Sequence, residues 1–127
     1  MEIQSYRDLV VWQKAMSLAK DVEELAARLA AQHRYELASQ MRRASYSIPS
    51  NIAEGSARKG TRDYRKFLDT AWGSLAEAQT ALTMAHDLGY IEPTTYAKLE
   101  ALATETSKTL FGLLRKISHA ADRPRPR

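Results

Sequence analysis

Apolar residues recur at alternating spacings of three and four in four successive segments, and that period commits the chain to packed amphipathic helices. The cleanest run is Tyr96, Leu99, Ala103, Thr106, Leu110, Leu113 and Ile117, a coiled-coil-like seam. Leu9, Trp12, Met16, Ala19, Val22, Leu25 or Ala26, and Leu29 predict a first helix from about Asp8 to Ala30. Leu37, Met41, Ala44, Ile48 and Ile52 mark a second, and Tyr64, Phe67 or Leu68, Ala71, Leu75, Ala78, Leu82 and Ala85 a third. No segment alternates as a strand would. Long helices on short polar links pack antiparallel, so the expected fold is all-α, an up-down-up-down four-helix bundle. A chain of 127 residues can bury one such core without disulfides or metals.

Local signals set the expected boundaries. Asp8 suits the cap or first turn of the first helix, and Thr61 the cap of the third, with Asp63 favoured by the helix dipole. Gly89 fits a C′ position and Pro93 the first turn of the last helix. Val10 and Val11 lie off the first stripe and make that helix start apolar nearly all round, which points to a second covering surface. Pro49 falls inside the second helix, where its missing N–H and its ring predict a kink, with Ser47, Ser50 and Asn51 beside it to take up freed backbone groups. Gly73, in mid-helix, predicts close approach of a neighbouring helix. The bundle is expected over residues 1–118, followed by a flexible basic tail over 119–127 that ends Arg-Pro-Arg-Pro-Arg.

The net charge of +4 is unevenly placed. Arg34 to Lys66 holds eight basic residues against three acids, and Arg115 to Arg127 five against one, which leaves the remainder at −5. Two basic zones are the pattern of a chain aimed at a polyanion. Arg58, Lys59, Arg62, Arg65 and Lys66 crowd the junction of the second and third helices, and Arg42 and Arg43 lie upstream. Such a cluster suits phosphate contacts, which give salt-dependent affinity and little sequence discrimination. The alternative is a plain charged turn in which Glu54 pairs with Arg58 and Asp63 with Lys59 or Lys66.

Catalytic chemistry finds no footing. With no cysteine, thiolate metal sites, redox motifs and c-type haem attachment are excluded. The residues three before His33, His86 and His119 are Ala30, Thr83 and Lys116, so the Glu-x-x-His pairs of a di-iron bundle are missing. His86 sits in the last turn before Gly89, where a helix end favours an imidazolium, and a capping role explains it better than a haem or phosphotransfer role. Gly55-Ser-Ala-Arg-Lys-Gly60 lacks the Gly-Lys-Ser/Thr ending of a phosphate loop. The serines and histidines form no triad spacing. No enzyme, cofactor or metal is expected. Neither a signal peptide nor a membrane anchor is expected either, since no window approaches the roughly 20 apolar residues of a span. A cytoplasmic protein is the expectation.

One combination is distinctive: Asp8-Leu-Val-Val-Trp-Gln-Lys-Ala15; Gln40-Met-Arg-Arg-Ala-Ser-Tyr-Ser-Ile-Pro-Ser-Asn-Ile-Ala-Glu-Gly55 with Arg58; Phe67-Leu68; and Ala71-Trp-Gly-Ser-Leu75. It closely resembles the four-helix-bundle proteins encoded in intervening sequences of bacterial 23S ribosomal RNA genes, relatives of the accessory protein of diversity-generating retroelements. The resemblance runs from about Tyr6 to Ile117 and leaves out the Arg-Pro tail. It implies a barrel-shaped homopentamer without enzymatic activity and, from the retroelement relatives, a basic surface for RNA and a reverse transcriptase partner. The family's Arg-Arg pair falls on Arg42 and Arg43, its Asn and Glu on Asn51 and Glu54, and its following Arg on Arg58. The expected nucleic-acid-binding set is therefore Arg42, Arg43, Arg58, Lys59, Arg62, Arg65 and Lys66, on RNA or DNA. Pro49, Asn51, Glu54 and Gly55 are expected to shape the bent helix and its contacts. The competing expectation is an adaptor bundle that self-assembles and docks a protein partner without nucleic acid.

Overall fold

The computed structural model describes residues 5–121; the other residues of the expected tail, 122–127, lie outside the described residues. A 3-10 turn at Tyr6–Asp8 leads into four α-helices, α1 (Val10–Ala31), α2 (Tyr35–Ser56), α3 (Thr61–Asp87) and α4 (Pro93–Ala121), and no strand occurs among the described residues. Each helix packs on its neighbours in sequence and α4 closes back on α1, while the backbones of the diagonal pairs do not approach closely among the described residues. The result is an antiparallel four-helix bundle. The α2–α3 interface is the most extensive and α1–α4 the least. Across that weaker seam Lys14 Nζ donates to Glu105 Oε1 at 3.0 Å, and this bond and charge hold the Glu105 carboxyl below its ordinary range.

The buried residues of α2, α3 and α4 follow the predicted stripes. Met41, Ile48, Ile52, Leu68, Leu75, Leu82 and Leu110 are sealed from solvent. Thr106 lies in the α4 seam with its hydroxyl donating to Leu102 O at 2.8 Å, so a polar side chain is buried without an orphaned group. The first helix departs from expectation. Its core face is Val11, Ala15, Leu18, Val22, Leu25 and Leu29, and the predicted Leu9, Trp12, Met16 and Ala19 are only half-buried. Both series have helical spacing, and they diverge N-terminal to Val22. Only the Val11 series continues into the same turn-by-turn line as Leu25 and Leu29, so burial selects it. Val11, predicted to be off the stripe, is 3% exposed, whereas Val10 is 56% exposed.

The helix ends also correct two cap assignments. Asp8 closes the 3-10 turn and Leu9 takes the N-cap of α1 without a side-chain hydrogen bond. Gly60 takes the N-cap of α3, which places Thr61 at the first helical position, with Asp63 still in the first turn. Two ends close in the Schellman pattern. Gly89, at φ +75°, follows α3, with Tyr90 N donating to Ala85 O at 2.8 Å. His33, at φ +64°, does the same after α1, with Arg34 N donating to Leu29 O at 2.9 Å. The α4 helix continues to Ala121, three residues into the stretch expected to be tail.

Pro49 is buried in the middle of α2, and the helix runs unbroken from Tyr35 to Ser56 around it. Asn51 explains part of how. Its Nδ2 donates to Ser47 O at 2.8 Å and to Ser47 Oγ at 2.9 Å, and Ser47 Oγ lies 2.7 Å from Ser74 Oγ on α3. The turn weakened by the proline is thereby bonded to itself and to the neighbouring helix. Asn51→Ala is expected to lower stability by about 1–2 kcal/mol, because a half-buried hydroxyl pair loses its donor. A thermal melt of the variant against the parent checks this.

Glycine use is redistributed too. A Cβ on Gly73 would meet nothing within 4 Å, so close approach within the chain does not explain that glycine. Gly55 is the one pressed against a neighbour. A Cβ there would lie 2.8 Å from Phe67 Cβ and 3.3 Å from Tyr64 O.

Candidate nucleic-acid interface

Antiparallel packing decides which basic residues meet. The start of α1, the end of α2, the start of α3 and the end of α4 share one end of the bundle. Arg58, Lys59, Arg62, Arg65 and Lys66 all lie there, around the α2–α3 turn. Arg115 and Lys116, from the second basic zone of the sequence, converge on the same end together with Arg7. In the half-bundle formed by residues 5–20, 46–74 and 107–121, eleven Lys and Arg face four Asp and Glu, whereas the opposite half has five against nine. The bundle is therefore polarised from +7 at one end to −4 at the other. A field of that shape presents one end to polyanions.

The partners of each cation sort the cluster further. Arg58 lies 3.9 Å from Glu54 one turn earlier, as the plain-turn alternative expects, and its guanidinium sits 4.6 Å from the centre of the Phe67 ring. Arg65 lies 4.0 Å from Asp69. Exposed pairs of this i,i+4 kind are worth only about 0.3–0.5 kcal/mol, so a phosphate can compete for either arginine. Lys59, Arg62 and Lys66 are exposed and make no ion pair among the described residues, and Asp63 does not pair with Lys59 or Lys66. Tyr64, among these cations, is half-buried against Gly55, and burial raises its phenol above the ordinary value.

Arg42 and Arg43 are not part of this cluster. Arg58 is fifteen positions after Arg43, almost all of them helical, which places the two about 22 Å apart. Arg42 makes a shorter, inter-helix pair, with Nε donating to Glu23 Oε2 at 2.9 Å and Oε1 at 3.1 Å, which links α2 to α1. Arg43 is exposed and without an ion pair among the described residues. The convergence of Arg115 and Lys116 with the α2–α3 turn was recoverable from the predicted topology, since an up-down-up-down bundle brings those ends together.

No group of three His, Cys, Asp or Glu among the described residues could hold a metal ion. His86 Nδ1 is 3.0 Å from Asp87 Oδ1, and its ring stacks on Tyr96 with centres 4.2 Å apart at the acidic end of the bundle. No helix is long and apolar enough to cross a membrane among the described residues.

Comparison with known proteins agrees with this architecture. A crystal structure of a protein of unknown function from the S23 ribosomal protein family of Bacteroides thetaiotaomicron is similar, with a TM-score of 0.79 over 83% of this chain and 98% of that one. The two share 24% sequence identity, so the likeness speaks for the fold alone. No protein of curated function matches the chain. The family model described as 23S rRNA-intervening sequence protein matches residues 7–112, which takes in the motifs from the Trp12 segment to Leu75 and the α4 seam as far as Leu110. The chain belongs to the 23S rRNA-intervening sequence protein family.

Proposed function

We propose that this protein is a non-catalytic, oligomeric bundle that binds structured RNA or DNA through the basic end, with Lys59, Arg62 and Lys66 as its principal phosphate contacts. The observation that carries the proposal is the polarity of the bundle, +7 in one half and −4 in the other, with Lys59, Arg62 and Lys66 making no ion pair among the described residues at the positive pole. Arg58 and Arg65 join them by exchanging weak intrahelical partners for phosphate, and Arg43 extends the surface along α2. Nucleic acid as ligand sets the protein in the cytoplasm, and a reverse transcriptase is a fitting partner where the gene lies in a retroelement. Binding of a labelled RNA hairpin across a salt series tests the proposal. Affinity should fall steeply as salt rises, with a log–log slope near −0.9 per phosphate neutralised, and a flat response would overturn it.

A second reading, a self-assembling adaptor that docks a protein partner, is favoured by a different face. Trp72 on α3 and Phe111 on α4 are 39% and 51% exposed and pack on each other at 6.0 Å. Beside them Gly73 and Gly112 are exposed in mid-helix with open space around them. Each costs its helix about 1 kcal/mol relative to alanine with no return inside the chain. Close contact with another subunit, a pentamer by family resemblance, would supply the reason for both. Gly73→Leu should then shift the protein to smaller species in sedimentation while leaving its helical content intact. Unchanged sedimentation would remove this face from the assembly.

A further inference from the structure

The groove between α1 and α2 gathers three aromatic residues, of which Trp12 also packs against the core while Tyr46 stands in solvent. It is an open groove of about 420 Å³ lined by Tyr6, Trp12, Met16, Tyr46, Pro49, Ser50 and Ala53 and by the carboxylate-bearing Glu54. Tyr46 is 72% exposed, and among the described residues its ring stacks on no other. Tyr6 and Trp12 meet edge to face at 5.2 Å, and the Arg7 guanidinium lies 5.0 Å from the Tyr6 ring centre.

Cations flank the α2 wall of this groove along the chain. Arg43 is one turn before Tyr46 on the same face of α2, and Arg58 and Lys59 follow the last turn of that helix. The two sets are about 22 Å apart, too far for one phosphate and suited to an elongated polyanion of about four nucleotides. The acids nearby are engaged with arginines: Glu54 lies 3.9 Å from Arg58, and Glu23 holds Arg42 at 2.9 Å. Basic ends with aromatic faces between them form the arrangement that holds single strands, because every base offers a π-face to stack on.

We propose that the α1–α2 groove binds a single-stranded segment of nucleic acid, with a base stacked on Tyr46 and the flanking phosphates on Arg43 and on Arg58 with Lys59. This rests on the nucleic-acid reading above and adds to it a preference for unpaired bases. The groove would take a loop or a free end, while the basic pole takes the adjoining backbone.

The test compares a short labelled oligouridylate with a blunt RNA duplex, by fluorescence anisotropy on the full chain. Tyr46→Ala should weaken oligouridylate binding about tenfold and leave duplex binding unchanged, and Tyr46→Phe should retain both. The side chain is mostly in solvent, so the alanine variant should fold as the parent does, and its melting temperature monitors this. Unchanged oligouridylate affinity in Tyr46→Ala, or equal weakening for both ligands, would overturn the proposal. A change in the sedimentation of the free protein would overturn it as well and assign the groove to contacts between copies. Failure of the underlying nucleic-acid reading looks different, since the parent itself would then bind neither ligand.

Discussion

Replacing Lys59, Arg62 and Lys66 together by alanine is expected to reduce RNA affinity about a hundredfold at low salt and to flatten its salt dependence. Three lost phosphate contacts remove about 2.7 from the magnitude of the log–log slope on duplex, and somewhat less on single strands. The slope is the sharper readout. A general loss of folded protein would lower the apparent affinity without altering how the remaining binding responds to salt. These side chains are exposed and make no ion pair among the described residues, so their removal should leave thermal stability within about 0.5 kcal/mol of the parent. Arg42→Ala is a contrasting variant. It removes one positive charge, against three in the triple variant, from the region that the sequence grouped with the cluster, and it breaks the tie to Glu23, so it should act on stability more than on the salt slope. A triple variant with the parent slope would show that the basic pole does not contact phosphates.

Where sequence patterning succeeded and where it fell short follows from what each signal measures. Periodicity gave α2, α3 and α4 correctly because their apolar residues form single stripes, such as Leu68, Leu75 and Leu82 or Leu99, Ala103 and Leu110. In α1 two apolar stripes overlap before Val22, and the run of threes from Met16 to Leu25 drifts around the helix, whereas Val11, Ala15 and Leu18 stay in phase with the buried Leu25 and Leu29. Local propensity likewise named Thr61 as a cap, but Gly60 supplies the extended backbone one residue earlier. The candidate site was legible in composition and not in arrangement. Adjacency in sequence joined Arg42 and Arg43 to Arg58, although a helix of that length separates them. The same linear view kept Arg115 and Lys116 apart from residues they approach. Ion pairing is beyond sequence altogether at separations such as Glu23 to Arg42.

The motif residues around Pro49 divide along the same physical lines, and Gly55 gives the most decisive test of the structural half. Gly55→Val is expected to destabilise the bundle by about 3 kcal/mol, the upper part of the usual range for overpacking. The introduced Cβ would fall 2.8 Å from Phe67 Cβ, an atom fixed to the α3 backbone that no rotamer change can move aside. Tyr64 O, also backbone, would be 3.3 Å away on the same side. Relief requires the end of α2 to separate from the start of α3, and this is the end of the most extensive helix interface in the bundle. Helix propensity works the other way, since leaving glycine gains at most about 1 kcal/mol, so the steric term decides the sign. Gly73→Ala supplies the contrast for the isolated chain. With nothing within 4 Å of the new Cβ, only propensity remains, and the dilute chain should be stabilised by about 1 kcal/mol. Separation of α2 from α3 would also displace Arg58, which rests on the Phe67 ring, and with it the geometry of the cation cluster. Gly55→Val should therefore lose both melting temperature and RNA affinity, while the Lys59, Arg62 and Lys66 variant loses affinity alone. A Gly55→Val protein that melts with the parent would show that α2 and α3 do not pack this closely in solution.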